Sequence, residues 1–406
     1  MGVYEDLGVK PIINLCGPAT RLGGALMEQQ VVDAMVQAAQ ESVPMDQLQA
    51  AASRILAEVT GAEAGYVTAG AASSLTLGTA ACMTGLDVAR MDRLPDTTDM
   101  PNEVIIAREH RNGYDHAIRA AGAKLVEVGM NEVFAGAGVR CTEAWEFEAA
   151  ITGRTAAIAY FYRPGSNPPL EEVISVGKKH NIPVLVDAAV EVPPVENLGK
   201  FISMGADLVC FSGGKFIRGP NSTGILCGRR DLIAAVALQH LDLDEHFGIW
   251  EPPPTLIRKE EIQGLPRHGI GRGFKVAKEE IVGLLTALRL FTREKCLEDA
   301  RRFQALLEPI ASHLRGIPHI EVETLHADER FPMLKVKLDE RALGLNAFEV
   351  SRRLKNGDPS VHVFEMQLSE GILLISPLNL NEQRANIAAQ CLRAVFAGRE
   401  EGKPMY

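Results

Sequence analysis

Short apolar runs recur through the middle of the chain and define its predicted architecture. Each run is four to six residues long and nearly continuous in apolar character, as expected for strands buried on both faces. Stretches with helical spacing, such as Asp115–Ala121 and Leu170–His180, separate most of the runs. This alternation predicts an α/β fold with a mostly parallel sheet flanked by helices. The strands of this predicted seven-stranded sheet are Ala64–Thr68, Val104–Ala107, Leu125–Val128, Ala156–Phe161, Pro183–Val186, Leu208–Phe211 and Gly224–Cys227.

The last two runs depart from the parallel pattern. About a dozen residues separate Phe211 from Gly224, and they include Gly213-Gly214 and Gly219-Pro220. Because so short and glycine-rich a connection leaves no room for a helical crossover, we expect a hairpin-like return and one antiparallel strand.

The remainder of the chain predicts a second, smaller α+β domain. Helical spacing extends from Glu279 to about Leu314, and alternating strands and further helices follow it. We therefore divide the chain into an N-terminal segment (1–60), a large α/β domain (61–285) and a small C-terminal domain (286–406). A helix at Glu28–Glu41 is expected to pack at the domain junction. The C-terminal elements are the strands Met333–Leu338 and Gly371–Ser376 and the helices Ala347–Lys355 and Gln383–Phe396.

Composition narrows the class of protein. The 406 residues carry 42 Lys and Arg against 52 Asp and Glu, a formal charge of −10, which disfavours binding to a phosphate backbone. Hydrophobic residues make up 46% and charged residues 23%, which excludes disordered and fibrous classes. There is no apolar stretch of membrane-spanning length and no signal-peptide core. The seven cysteines form no Cys-x-x-Cys pair. We expect a cytoplasmic protein.

A lysine and an aspartate at predicted strand ends are candidates for cofactor chemistry. Lys215 follows a buried strand and two glycines, and such a lysine can form a Schiff base with a carbonyl cofactor if burial frees the neutral amine. Asp187 ends the central run Pro183–Val186, at the edge where open α/β sheets bind ligands. An aspartate there can pair with a protonated pyridine nitrogen. The alternatives are a surface lysine in a tight turn and a helix N-cap.

Two further segments fall at the same predicted edge. Gly70, Ala71 and Ala72 form a strand-to-helix turn whose free N–H groups suit a phosphate, although many such turns look alike. His110 follows the strand Val104–Ala107 and is either a ring-stacking residue or a solvated loop histidine. The other histidines lack metal-ligand spacing, so no catalytic metal is predicted.

Taken in chain order, these segments resemble the fold-type-I enzymes of pyridoxal 5′-phosphate. More narrowly, the chain resembles the relatives of bacterial selenocysteine synthase (seryl-tRNA selenium transferase), in the small-molecule branch that includes D-glucosaminate-6-phosphate ammonia lyase. The resemblance covers nearly the whole chain. It is carried by Lys10-Pro-Ile-Ile-Asn-Leu-Cys-Gly17, Thr60-Gly-Ala-Glu-Ala-Gly-Tyr-Val-Thr68, Ala121-Gly-Ala-Lys-Leu-Val-Glu-Val-Gly129, Val186-Asp-Ala-Ala189, Phe211-Ser-Gly-Gly-Lys215 and Arg218-Gly-Pro-Asn-Ser-Thr-Gly224.

The resemblance implies pyridoxal 5′-phosphate as cofactor and a role for each matched position. Lys215 is implied to be the Schiff-base lysine and Asp187 the partner of the pyridine nitrogen. Ser212 and the backbone of Gly70, Ala71 and Ala72 are implied to hold the phosphate, and His110 to stack on the ring. Since the family builds its site at a dimer interface, Thr223 is a candidate for reaching the neighbouring subunit's phosphate, and a homo-oligomer of at least two copies is expected.

Substrate-binding residues are predicted in two places. Asn14, Thr20 and Arg21 belong to an N-terminal motif that lies over the active-site mouth in the family, and Arg21 could grip a carboxylate or phosphate. Arg267, His268 and Arg272 form a cationic cluster among glycines, interpreted as a mobile loop for an anionic substrate. Ordinary solvated charge is the alternative for both groups.

The predicted activity follows the small-molecule branch of the family. Only ten residues precede Pro11 where the true transferase has a tRNA-gripping region, so a tRNA substrate is not expected. We predict a lyase that eliminates across the α and β carbons of a hydroxylated or sugar-derived amino acid and gives a 2-oxo acid and ammonia. A racemase or epimerase is the second choice and an aminotransferase the third. A catalytically silent scaffold is the non-enzymatic alternative.

Overall fold

The computed structural model describes residues 2–130, 141–325 and 331–397. The helices are α1 (Val3–Asp6), α2 (Gln29–Ala39), α3 (Met45–Thr60), α4 (Gly70–Thr84), α5 (Val88–Arg93), α6 (Asp115–Ala120), α7 (Ala144–Ala149), α8 (Leu170–His180), α9 (Asn197–Met204), α10 (Arg230–His240), α11 (Lys278–Leu290), α12 (Arg293–Leu314), α13 (Glu340–Leu343), α14 (Ala347–Lys355) and α15 (Glu382–Ala397). The strands are β1 (Ile13–Leu15), β2 (Ala64–Thr68), β3 (Glu103–Ala107), β4 (Lys124–Val128), β5 (Thr155–Phe161), β6 (Val184–Asp187), β7 (Leu208–Ser212), β8 (Gly224–Gly228), β9 (Ile320–Leu325), β10 (Met333–Leu338), β11 (Val361–Val363) and β12 (Ile372–Ile375).

The chain forms two compact units, and their bounds differ from the predicted ones. The larger unit spans Met27–Leu290, and the smaller one combines the chain up to Leu26 with the chain from Phe291 onward. The predicted N-terminal segment 1–60 is therefore divided after Leu26. The predicted boundary after residue 285 falls inside α11, a continuous helix that ends at Leu290.

The larger unit is built on a seven-stranded sheet in the order β2-β8-β7-β6-β5-β3-β4. The neighbours from β7 through β6, β5 and β3 to β4 pair in parallel, whereas β8 runs antiparallel to both β7 and β2. This confirms the predicted mostly parallel sheet and its single antiparallel strand. Apolar side chains cover most of the sheet, as continuous apolar runs require.

The connection between β7 and β8 is compact because its glycines lie against neighbouring backbone. A Cβ atom on Gly213 would come within 2.3 Å of the Thr223 hydroxyl, and one on Gly214 within 2.3 Å of the Asn221 Cα atom. The Gly213 N–H donates to the Thr223 carbonyl at 2.9 Å, which closes the turn that carries Lys215. Glycine is needed here for close approach.

Helix α4 is buried on nearly every side. It packs on β5, β6, β7 and β8 and on α10, so most of its side chains are buried against other parts of the protein. Gly78 fits between Leu185 and Leu208, where an added Cβ would lie 3.3 Å from each side chain. A helix with no polar face is expected only inside a core. Its first turn is therefore fixed at the carboxyl edge of the sheet.

The smaller unit contains two sheets. In one, β10 lies between β9 and β12, antiparallel to both. In the other, β1 pairs in parallel with β11. Strands β10 and β12 and helices α14 and α15 match predicted elements. Sequence analysis did not identify β9, whose residues are all at least partly exposed, or the three-residue strands β1 and β11. Within the part of the chain that the structure describes, no helix combines the length and apolar character needed to span a bilayer.

Candidate active site

Three parallel strands bring polar side chains to the carboxyl edge of the large sheet. Asp187 is the last residue of β6 and lies in register with Phe161 of β5 on one side and Cys210 of β7 on the other. The apolar residues Val184 to Val186 are buried, and Asp187, at the end of the strand, is half-buried. The carboxylate is therefore located at the sheet edge, as the strand pattern predicts.

The charge on Asp187 is set by opposing effects. Burial raises the pKa of the carboxyl group above its usual value. The Ala189 N–H donates to Oδ1 at 2.9 Å and lowers the pKa, as do the positive charge of Lys215, hydrogen bonding from the Cys210 thiol and the charge of Arg163. Removing any of these contacts would favour the protonated acid.

Lys215 lies in the β7–β8 connection and responds to the same carboxylate. Burial lowers the pKa of its ammonium group, whereas Asp187, Cys210 and Glu191 act in the opposite direction. Burial disfavours the charged form of both side chains, and their mutual attraction favours it. The structure therefore brings Lys215 and Asp187 into one electrostatic unit.

The start of α4 presents free backbone N–H groups beside Ser212. Gly70 has a φ of +84°, and a Cβ atom on Gly224 would lie 2.3 Å from its carbonyl carbon, so both positions need glycine. Ala69 provides no side-chain cap for the helix, and Ala71 and Ala72 are at least partly exposed. Because Gly224 pairs with both Thr68 and Ser212, β8 joins the helix start to Ser212.

Two hydroxyl groups in the same helix turn have different environments. The Ser74 and Thr68 hydroxyl groups are hydrogen-bonded at 2.7 Å, which joins the helix to the strand before it. The Ser73 hydroxyl is buried and has no hydrogen-bond partner among residues 2–130, 141–325 and 331–397. An acceptor group bound at this turn would satisfy it.

His110 is buried against an aromatic ring. Its imidazole meets Tyr160 edge to face, with ring centroids 4.5 Å apart. Neither ring nitrogen has a hydrogen-bond partner within the described chain, and burial lowers the pKa of the imidazole. His110 is therefore a neutral ring, and the predicted solvated loop histidine does not fit its burial.

Thr223 is held within its own loop. Its side chain is fully buried, and its hydroxyl donates to the Pro220 carbonyl at 2.7 Å within the β7–β8 connection. Its role toward a neighbouring subunit stays a prediction.

The three predicted N-terminal substrate residues belong to the smaller unit. Asn14 is buried, donates to the Gly17 carbonyl at 3.0 Å and accepts from the Cys16 N–H at 2.8 Å, so its carboxamide serves its own turn. Thr20 is exposed. Arg21 is exposed and pairs with Glu365 at 3.3 Å. The role of these residues toward substrate stays a prediction.

The second predicted substrate cluster, Arg267, His268 and Arg272, is held by an ion pair and a backbone hydrogen bond. Arg272 pairs with Asp242 at 2.6 Å, and the Arg267 N–H donates to Asp92 at 2.8 Å. A Cβ atom on Gly269 would lie 2.5 Å from the Gln239 Cα atom, so this glycine provides close packing rather than freedom. The side chains of Arg267 and His268 are exposed.

Sequence reasoning missed three residues near the aspartate. Cys210 is fully buried opposite Asp187, and Glu191 is 2% exposed on the chain that leaves β6. Arg163 follows β5, and its charge acts on both Asp187 and His110. Register with Asp187 was the available signal for Cys210. The positions of Glu191 and Arg163 depend on the conformation of the turns that follow β6 and β5, which the sequence does not determine.

Among the described residues there is no cluster of three His, Cys, Asp or Glu side chains suited to a metal ion.

The chain is similar over most of its length to several known enzymes. A family model described as L-seryl-tRNA selenium transferase matches residues 12–243. A 5′-C-glycyluridine monooxygenase-decarboxylase from a Streptomyces species is 33% identical over 93% of this chain and 88% of its own. A D-glucosaminate-6-phosphate ammonia lyase from Salmonella typhimurium is 29% identical over 97% of both chains.

Solved structures give the same relationship. That of a D-glucosaminate-6-phosphate ammonia-lyase superposes with a TM-score of 0.77 at 28% identity, covering 98% of each chain. A cysteine desulfurase from Thermococcus onnurineus shares the fold, with a TM-score of 0.54 at 18% identity over 96% of this chain and 95% of its own. The predicted pyridoxal-phosphate fold type I is thereby confirmed. The chain belongs to the L-seryl-tRNA selenium transferase family.

Proposed function

We propose that this protein is a pyridoxal 5′-phosphate-dependent lyase that releases ammonia from a hydroxylated or sugar-derived amino acid. The observation that carries the proposal is that Asp187 ends a central strand at the carboxyl edge of a fold-type-I sheet and that the charges of Asp187 and Lys215 act on each other's pKa. The end-to-end similarity to a D-glucosaminate-6-phosphate ammonia lyase supports the choice of elimination.

The residues at the sheet edge fit the cofactor. The uncapped first turn of α4, the unpartnered Ser73 hydroxyl and Ser212 suit a phosphate group. Asp187 suits a protonated ring nitrogen, and Lys215 suits a carbonyl carbon. His110 offers a neutral ring without hydrogen bonds of its own. These residues would hold the phosphate, ring and aldehyde of one molecule.

When bound, pyridoxal 5′-phosphate supplies an aldehyde for the substrate amine and a ring that accepts electrons from the α-carbon. The protein must then manage charge and protons. Lys215 Nζ, with a pKa lowered by burial, is a suitable base for the α-proton. Burial raises the pKa of Asp187, whereas Lys215, the Ala189 N–H and the Cys210 thiol favour its anionic form.

The net reaction balances without an external oxidant. The α-proton and the β-hydroxyl group leave the substrate as water, and a water molecule then replaces the amino group. The products are one 2-oxo acid and one ammonia. Proton return to the opposite face of the α-carbon would instead give racemisation, and retention of the amino group for transfer to a second substrate would be transamination.

An oxidative decarboxylation is the second candidate, because one relative at 33% identity is named a monooxygenase-decarboxylase. By that name, the reaction requires dioxygen and gives carbon dioxide. Elimination consumes no dioxygen and releases no carbon dioxide. The two candidates therefore differ in a requirement that can be controlled.

We further infer that the substrate is a small molecule and that the protein acts as a cytoplasmic homo-oligomer of at least two copies. The formal charge of −10 disfavours a nucleic acid. Val36, Val43 and Val190 are exposed apolar side chains of the larger unit, and a partner copy would cover such positions.

The test is incubation of the purified protein with D- and L-hydroxyamino acids and amino sugar acids, with and without dioxygen. Ammonia, 2-oxo acid, carbon dioxide and optical rotation are measured in parallel. The proposal expects equal amounts of ammonia and 2-oxo acid under both atmospheres. Carbon dioxide formed only with dioxygen would support the second candidate, and loss of optical rotation without ammonia would indicate a racemase.

A further inference from the structure

A cavity of about 440 Å³ opens beside His110 in the larger unit. Its walls are the residues that follow β3 (109–112) and those that follow β5 (161 and 163–167), together with Cys141. This volume is within the range of small-molecule sites. Neither Lys215 nor Asp187 lines the cavity. His110, which the proposed function assigns to the cofactor ring, does line it.

Among the described residues of the cavity wall, Arg163 is a cation without an acidic partner. Arg111 pairs with Asp115 at 2.5 Å and also with Glu127. Glu109 accepts from the Thr142 hydroxyl at 2.6 Å and from its N–H at 3.3 Å. Within the described residues, the Arg163 guanidinium has neither a hydrogen-bond acceptor nor an acidic partner. An anion entering the cavity would therefore meet Arg163 as its free partner.

The backbone of Arg163 is held in place by a tight turn. Residues 163–166 close with the Ser166 N–H donating to the Arg163 carbonyl at 3.0 Å, and Gly165 has a φ of +81°. Pro164 and Gly165 occupy the central positions that a type II turn prefers. The Arg163 N–H also donates to the Ser166 hydroxyl at 3.0 Å. The turn therefore fixes the backbone position from which the Arg163 side chain extends.

The strand before the turn is tied to the aspartate. The Tyr162 N–H donates to the Asp187 carbonyl at 2.9 Å, one residue before Arg163. Burial raises the pKa of Asp187 and lowers that of His110. The positive charge of Arg163 lowers both pKa values, so it opposes burial at Asp187 and adds to it at His110. Arg163 therefore acts at the two side chains assigned to the cofactor ring.

We propose that Arg163 binds an anionic group, a phosphate or a carboxylate, at the end of the substrate remote from its reacting amine. Asn112, Ser166 and Asn167 supply polar groups in the same wall for substrate hydroxyls. A guanidinium suits either anion because it can donate two parallel hydrogen bonds. This inference rests on the proposed function, since it assigns the remote end of that substrate.

The test is calorimetric titration of the cofactor-loaded protein with three sugar acids that lack an amine. Gluconate has one carboxylate, whereas 6-phosphogluconate and glucarate carry a phosphate or a second carboxylate at the far end. The wild type should bind 6-phosphogluconate, glucarate or both about tenfold or more tightly than gluconate, as a charged hydrogen bond implies. Whichever of these two probes shows the larger preference identifies phosphate or carboxylate as the bound group.

Three variants assign the effect to the residue. Arg163→Gln should abolish the preference for the probe with a second anionic group, and Arg163→Lys should retain part of it. Arg90→Gln, which removes an exposed charge on α5, should keep the preference. Thermal melting checks that each variant is folded. The inference is overturned if the wild type shows no preference, if Arg163→Gln keeps it, or if Arg163→Gln weakens gluconate binding equally.

The outcome does not depend on turnover, because these probes carry no amine. Ammonia release with an unchanged Arg163→Gln titration would contradict only the anion site. The expected titrations without ammonia release from any substrate would contradict only the proposed lyase activity.

Discussion

Cys210 lies directly opposite Asp187 on the neighbouring parallel strand, and its thiol contacts the carboxylate. The thiol is fully buried, and both burial and the adjacent carboxylate keep its pKa well above the usual value. Cys210 is therefore a neutral donor that helps to keep Asp187 ionised. It is a positioning residue for the carboxylate and not a reactive thiol.

Replacement of Cys210 should change the pH dependence of cofactor binding. Hydrogen bonding from the thiol lowers the pKa of Asp187, so Cys210→Ala should raise that pKa. The protonated acid would then persist to higher pH, and the acid limb of the cofactor-affinity profile should move toward higher pH. Absorbance titration of the bound cofactor measures this shift.

Two variants test whether the hydrogen bond is the cause. Cys210→Ser restores a donor and should restore most of the acid limb. Cys227→Ala removes another fully buried thiol from β8, which lies opposite Val209, and should leave the profile unchanged. Equal shifts in the two alanine variants would indicate a general packing effect.

A methyl group at Gly224 should displace the start of α4. Its Cβ atom would lie 2.3 Å from the Gly70 carbonyl carbon, a contact that backbone movement alone can relieve. Gly224→Ala should therefore lower the free energy of unfolding by about 1–3 kcal/mol and weaken cofactor binding. Chemical denaturation and cofactor titration measure the two effects.

Gly153→Ala is the matched control, because a Cβ atom there would meet no other group within 4 Å. Its free energy of unfolding should stay within about 0.5 kcal/mol of the wild type. Wild-type cofactor affinity in Gly224→Ala would show that the position of Gly70 does not matter for the phosphate.

The ring of His110 should matter more than its nitrogens. Both nitrogens lack partners within the described residues, and the imidazole meets Tyr160 edge to face. Substitution His110→Ala should weaken cofactor affinity about two- to tenfold through loss of an aromatic contact, whereas His110→Phe should lose less. Equilibrium titration of the apoprotein with pyridoxal 5′-phosphate distinguishes them. A phenylalanine variant as weak as the alanine variant would point to a polar role.

The seven strands of the large sheet and the places of two site residues could be predicted from the sequence for one physical reason. Strands buried on both faces leave continuous apolar runs, and the residue that ends such a run lies at the sheet edge. Asp187 ends one run in this way, and Lys215 follows the next run after a short glycine-rich segment. The order of the strands in the sheet was not predicted. Strand β9 was missed because each of its residues is at least partly exposed, so no continuous apolar run marks it.

The remaining features depend on turns that the sequence does not determine. The Thr223 hydroxyl points into its own loop because the Pro220 carbonyl is nearby once the loop closes. The charge of Arg163 acts on the pKa of Asp187 because the turn at residues 163–166 follows β5, which pairs with β6. Arg272 is committed to Asp242, which is 30 positions away in the chain.

The proposed activity depends on a covalent link between the cofactor and Lys215. Borohydride reduction of the cofactor-loaded protein, followed by peptide mass spectrometry, detects this link. We expect a reduced phosphopyridoxyl group on the peptide that contains Lys215, its loss in Lys215→Ala and its retention in Lys200→Ala, which removes an exposed lysine of the same unit. A label on another lysine of the wild type, or turnover by Lys215→Ala equal to that of the wild type, would contradict it.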